Sequence, residues 1–362
     1  MSAYFDSGFC VRTPSWHRQE NLIADYPTDW ADARAKAGLL WEPIPRPIYQ
    51  LNQAAAVCEK CKAQLNELHA EKCPWAKDGP TLVTPDAVAL DALRSSIIEL
   101  PDQKLIVRND TEAPLGVVGQ GFELVTHKEM GEIIEAILGV DNLKFETAGS
   151  VRGGAQVWAL MYLDEPYTVA GDDTTTLPFL ALTNSHDGSG ACKAIATQVR
   201  VVCWNTYRAA EMEGERTGRQ FTFNHTSGIH DRIDEAKKAL AGVRDDAAEW
   251  TALATELFGM AVDDEAFADF LVQFLPEPIG EVSSKRVHNN VEAARSAFKM
   301  LYLDSPTTEA HRGTALGLVD ASVEYLDHVR GYRSRDTLFG RTLLKPEPLK
   351  ARAVKLVRQV CG

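Results

Sequence analysis

Residues 143–202 read LKFETAGSVRGGAQVWALMYLDEPYTVAGDDTTTLPFLALTNSHDGSGACKAIATQVRVV. Four apolar runs stand out in this stretch: LKFETAGSV (143–151), AQVWALMYL (155–163), TLPFLALTNSH (176–186) and CKAIATQVRVV (192–202), with a shorter one near PYTVAG (166–171). Each is rich in β-branched and aromatic residues and is bounded by turn-forming residues at 152–154, 171–173 and 187–190, the pattern of strands joined as antiparallel hairpins. Just upstream, THKEMGEIIEAIL (126–138) places Met130, Ile133, Ile134 and Ile137 at helical spacing. Downstream, CWNTYRAAEM (203–212) is predicted as a short helix. Residues 87–227 therefore read as an α+β domain in which an antiparallel strand meander packs with helices in two layers.

On the N-terminal side, residues 1–86 divide into two parts. The first is rich in Trp and Pro, with a helix predicted in DWADARAKAGLL (29–40) that Gly38 helps to end, followed by WEPIPRPIYQL (41–51), whose alternating prolines enforce an extended chain. The second, residues 51–80, is predicted to be helical and charged up to the breaker KDGP. On the C-terminal side, residues 228–362 read as a helical domain interrupted at PEP, DSP and KPEP.

The chain has 362 residues, is 45% hydrophobic and 25% charged, and carries a net charge of −13. No stretch approaches the ~20 apolar residues of a membrane span, and the first residues show no basic head followed by an apolar run, so a cytoplasmic location is expected and a membrane partner is not. Seven cysteines in that setting argue against a disulfide framework. The acidic total excludes wholesale wrapping by nucleic acid, which needs concentrated Lys and Arg. The end of the chain is different. From His328 to Gly362 nine Arg and Lys face only Asp336 and Glu347. Such a tail can pair with phosphates, dock on an acidic neighbouring subunit or stand in solvent.

Cys58-x2-Cys61-x7-His69-x3-Cys73 is the sharpest chemical signal. Three thiolates and an imidazole make a closed tetrahedral structural zinc site, with His69 and Cys73 one turn apart on a helix after the CxxC turn. The alternative is an amphipathic hairpin with reduced cysteines. Ser185, His186 and Asp187 invite a nucleophile reading, but adjacent strand residues point to opposite faces, and a turn in which Asn184, Asp187 and Ser189 satisfy backbone groups fits better. GSVRGG lacks both the lysine and the following helix of a phosphate loop and reads as a strand-to-strand turn. Arg152 at its tip, with Lys193 and Arg200 on a nearby strand, is a candidate nucleic-acid surface. Trp204 and Tyr207 are candidates for either core packing or base stacking. Ser283 is a predicted N-cap for a helix bearing Arg286, His288 and Arg295. The sequence shows no HExxH and no paired-acid metal motif, so a catalytic site is not expected.

Together these stretches resemble the phage- and plasmid-associated family that carries domain of unknown function 932. The resemblance rests on PSWHRQENLIADYPTDWADARAKAGLLWEPIPRPIY (14–49), LGVVGQGFELVTHKEM (115–130), GGAQVWALMYL (153–163), LTNSHDGSGACKAIATQVRVVCWNTYRAA (182–210) and RGTALGLVDASVEYLDHVR (312–330). The insert with Cys58, Cys61, His69 and Cys73 falls outside that pattern. The resemblance implies a bacterial cytoplasm and a role in replication, recombination or host takeover. The order helix, meander, helix is also similar, in topology alone, to single-strand-annealing proteins of the Redβ, Erf and Rad type.

The expectation is a non-catalytic protein of phage or plasmid DNA metabolism. It binds single-stranded DNA as a homo-oligomeric ring or filament, promotes annealing, and works beside phage or host replication and recombination proteins. Phosphate contacts are assigned to Arg152, Lys193, Arg200, Arg333, Arg335, Arg341, Lys350, Arg352 and Lys355. The alternatives are a protein-interaction factor acting on host replication or defence, and a hydrolase of unfamiliar type.

Overall fold

The computed structural model describes residues 6–11, 21–52, 56–64, 66–68, 70, 73–74, 82–83, 88, 94, 96–138, 143–163, 166–169, 175–200, 205–207, 220–223, 245–277, 285–331 and 348–362. The chain forms two compact units, Met1–Glu42 with Glu123–Gly362, and Pro43–Phe122. This division differs from the predicted 1–86, 87–227 and 228–362. Its cause is long-range strand pairing, which draws residues from both sides of position 86 into one sheet.

The larger unit is built on an eight-stranded sheet. Its strands are β1 (Ser7–Val11), β2 (Leu22–Ile23), β6 (Leu143–Val151), β7 (Gln156–Leu163), β8 (Thr176–Ser185), β9 (Cys192–Arg200), β10 (Asn205–Tyr207) and β11 (Gln220–Phe223). The order is β10-β9-β8-β7-β6-β1-β2, with β11 beside β9. Every pair is antiparallel except β1 with β2. The predicted meander is thus present as β6 to β9. The run near PYTVAG contributes only a bridge from Tyr167 to Thr176, and residues 205–207 form β10 where a helix was predicted.

β7 is buried at every position from Val157 to Leu163, so both faces of the sheet are covered. On one face Trp158, Leu160, Tyr162, Phe179 and Ile195 cluster, with Tyr26 packed edge-on to Tyr162. On the other, Phe145 pairs with Met161 and meets Trp30 of α1 (Trp30–Ala37). Asp29 caps that helix by accepting from the Asp32 N–H, and Gly38 ends it at φ 70°. Trp30 also donates its Nε1–H to the His127 carbonyl of α2 (His127–Leu138), the predicted helix with Met130, Ile133 and Ile134 buried.

The helical part of this unit comprises α3 (residues 245–258), α4 (Asp264–Phe274), α5 (Lys285–Asp304), α6 (Ala315–Glu324) and α7 (Pro348–Val360). α6 runs on into a wider π turn at Tyr325–Val329. Leu257, Phe270, Phe274, Phe298, Leu318 and Val357 form their common core. A buried polar chain ties it to the sheet: Tyr167 donates to Gln198 of β9, and Gln198 donates to Asp246 of α3. Ser283 and residues 228–244 lie outside the described residues.

The smaller unit is a three-stranded antiparallel sheet of β3 (Pro43–Leu51), β4 (Ile97–Arg108) and β5 (Pro114–Gly119), in the order β3-β4-β5. Leu51 pairs with Ile97, and Asn52 N–H donates to the Ser96 carbonyl at 2.7 Å. Residues 53–95 therefore leave and return at the tip of one long hairpin. That excursion carries Cys58, Cys61 and Cys73.

Candidate metal centre and basic surfaces

The cysteine segment is not the predicted helix. Val57 bridges Gln64, Cys58 bridges Val88 and Leu68 bridges Leu82, all antiparallel. Lys62 and Asn66 take φ of 62° and 67°, left-handed conformations that no α-helix accommodates. Around the CxxC turn the Cys58 N–H donates to the Ala63 carbonyl at 2.8 Å, and the Lys62 N–H donates to the Cys58 carbonyl at 3.0 Å. The Cys73 N–H is likewise turned back on the Ala70 carbonyl at 2.8 Å. These turns bring the three sulfurs within 4.8 Å of one another. Thiolates on one tetrahedral ion at ~2.3 Å lie roughly 3.8 Å apart, so the cluster fits a metal with little movement. Cys58 and Cys73 are buried and Cys61 is half-buried. Among the described residues, Ala56, Ala63, Val83 and Val88 pack with them. His69, the predicted fourth ligand, lies outside the described residues.

The predicted phosphate contacts scatter. Arg152 is exposed at the tip between β6 and β7, at φ 59°. The turn it begins is a strand-to-strand connection, as read, and its Gly153 and Gly154 N–H groups donate to the Asp6 carboxylate at 2.6 and 3.3 Å. Lys193 sits opposite Thr183 near the start of β9, at the same end of the sheet as the β6–β7 turn. Position 200 pairs with Thr176 at the far end of an unbulged strand. Seven residues separate 193 from 200, so the two positions belong to opposite faces and lie about 23 Å apart along β9. They do not form one patch.

In the tail, Lys350 is 1% exposed and ion-paired to Asp327 at 2.9 Å, which removes it from any phosphate-facing surface. Its place on the inner face of α7 is the cause. Arg352 and Lys355 lie on the outer face and are exposed, and Arg352 donates to the Gln273 carbonyl at 2.7 Å. Arg333, Arg335, Arg341 and Trp204 lie outside the described residues, as does the side chain of Tyr207. Arg295 and His288 bind Glu277 and Glu292 on the surface of α5.

Ser185, His186 and Asp187 form no triad. Asp187 accepts from the Ser185 hydroxyl at 2.5 Å and from the Ser189 N–H at 2.9 Å, a turn of the kind read from the sequence. Partial burial would raise its carboxyl, but these bonds and the Arg152 charge hold it below the ordinary carboxylate range. His186 itself is buried and turned toward His127, with the two Nε2 atoms 3.3 Å apart. Sequence reasoning missed this pair, since 59 residues separate its members and each is a lone histidine in its own segment.

Among the described residues no helix is long and apolar enough to cross a membrane. No curated protein and no solved structure matches the chain. Residues 114–344 match the family described as "Domain of unknown function (DUF932)"; the match takes in β5 to β11 and α2 to α6, and begins after the cysteine segment. The chain belongs to the DUF932 family.

Proposed function

We propose that this protein binds single-stranded DNA without catalysing a reaction on it, assembles on the strand as an oligomer, and promotes annealing in phage or plasmid DNA metabolism. The observation that carries the reading is Arg152. A non-glycine residue at φ 59° pays about 1 kcal/mol in backbone strain, and here that strain presents a guanidinium at an exposed sheet end. Lys193 stands at the same end, and Arg352 and Lys355 add a cationic stripe one turn long on α7. Lys350 is withdrawn from the longer predicted set, and Arg333, Arg335 and Arg341 lie outside the described residues. Zinc is the ion this reading assigns to Cys58, Cys61 and Cys73, with His69 completing four ligands; such a closed site stabilises a fold and offers no position to a substrate.

The test is oligonucleotide binding by the full chain and its variants. Arg152→Ala and the pair Arg352→Ala with Lys355→Ala are expected to weaken binding of a labelled single strand and to lessen its salt dependence by about one phosphate per cation removed. Equal affinity in all variants would reject the assignment.

A second reading is favoured by the hairpin of β3 and β4. Leu51 pairs with Ile97 and Tyr49 with Glu99, so Tyr49, Leu51 and Ile97 share one face, and all three are exposed. Three large exposed apolar side chains beside Glu99 on a narrow ribbon suit a protein partner. Changing all three to Ser leaves DNA binding intact and abolishes partner or self-association if this face is the working surface.

A further inference from the structure

The geometry points to a second metal centre, distinct from the thiols, in which the Nε2 atoms of His127 and His186 chelate one divalent transition ion. Both rings are buried in the larger unit, His127 at the start of α2 and His186 just past the end of β8. The His127 Nδ1 faces two carbonyls, Trp41 at 2.8 Å and Leu39 at 3.4 Å, and so must donate. A neutral His127 with its proton on Nδ1 presents the Nε2 lone pair to His186. A backbone carbonyl on the far nitrogen is the usual way a ligating histidine is fixed in tautomer and direction. Glu42 fixes the ring's backbone as well, since the His127 N–H donates to its carboxylate at 2.8 Å. Trp41 packs edge-on to the His127 ring, with centroids 4.4 Å apart.

The distances between the rings accommodate chelation as well as a direct hydrogen bond. Imidazole nitrogens on one tetrahedral ion, each at 2.0–2.1 Å, lie about 3.3 Å apart with ring centroids about 5.2 Å apart. The structure has 3.3 Å between nitrogens and 5.3 Å between centroids. A straight N–H···N bond of the same length would set the centroids at about 5.6 Å. The rings are thus tilted off the line joining their nitrogens, as two ligands of one ion are. Imidazole pairs suit zinc, cobalt, nickel or copper rather than magnesium or calcium. The described residues bring no third His, Cys, Asp or Glu to this point, which leaves coordination positions to other ligands. If His186 carries its proton on Nε2 in the metal-free state, loading the ion requires the other neutral tautomer, with the proton moved to Nδ1 and no net release.

Cobalt(II) is the probe, added to the chelator-treated full-length chain. The wild-type chain is expected to hold two ions. With Cys58→Ser, Cys61→Ser and Cys73→Ser together it holds one, which shows visible d–d bands but no sulfur-to-cobalt charge transfer in the near ultraviolet. Adding His127→Gln or His186→Gln to that triple variant removes the remaining ion. X-ray absorption at the cobalt edge of the triple variant should show an imidazole shell, a readout that needs no histidine substitution. Failure of the thiol centre alone would leave one imidazole-bound ion in the wild-type chain. A triple variant free of cobalt, or one whose cobalt survives both histidine changes, overturns the proposal.

Discussion

Nζ of Lys350 lies 2.9 and 3.0 Å from the two carboxylate oxygens of Asp327, with both side chains almost wholly buried. Asp327 sits in the π turn that follows α6, and α7 closes over it. Taking one partner away leaves a charge in a dry site, so Lys350→Ala is expected to cost about 3–5 kcal/mol in urea unfolding, whereas Lys350→Met with Asp327→Leu costs far less. Single-strand affinity at full folding should be unchanged, since this lysine faces no solvent. Gly131 makes a similar point about space: a Cβ there would lie 2.3 Å from Cδ1 of Trp30. Gly131→Ala should therefore destabilise the chain by about 1–3 kcal/mol despite its better helix propensity, measurable as a lowered unfolding midpoint. At Asp187 the folded carboxyl titrates below its unfolded value. Its contribution to stability is present above the unfolded pKa and is lost as pH falls through the folded one, so Asp187→Asn should flatten that part of the acid-unfolding profile. None of these pairings was legible in the sequence. A basic tail shows how many cations it has, but not which of them α7 turns inward.

The elements β6 to β9 were legible because each is a continuous apolar run between glycine-rich turns, and the four strands pair in chain order. The opposite faces of positions 193 and 200 were available from the same reading, by counting an odd separation along one strand. The hairpin of β3 and β4 was not legible. Its prolines announced an extended chain, but the partner lies beyond an excursion of residues 53–95, and a local pattern carries no information about so distant a pairing. Charge and apparent helical spacing misled the reading of that excursion, where the positive φ at Lys62 and Asn66 and the thiol cluster dictate tight turns. Two outcomes follow for the element. Chelation is expected to release zinc and expose residues 56–88 to limited proteolysis while the larger unit stays intact, as read by fragment masses. Replacing residues 53–95 by a two-residue Asn-Gly turn should keep β3 paired with β4 and abolish thiol-bound metal. Global unfolding in either experiment would show that the excursion is no separable insert.

For the whole molecule, the excess of acidic over basic residues makes the proposed affinity for a single strand a matter of local contacts. A net charge of −13 opposes approach to phosphates, so binding must come from concentrated sites and be steeply sensitive to salt. Under the proposed function, Arg152, Lys193, Arg352 and Lys355 give four such contacts per protomer. With four phosphates neutralised on a single strand, affinity should fall about fifty-fold between 50 and 200 mM salt. Fluorescence anisotropy of a labelled single-stranded oligonucleotide, titrated with the full-length protein at those two salt concentrations, measures this directly. Single-strand binding through these four cations predicts saturable binding at the lower salt and a loss of that order at the higher. No binding at about 50 mM salt, or binding indifferent to salt, would contradict it and leave the apolar hairpin face as the working surface.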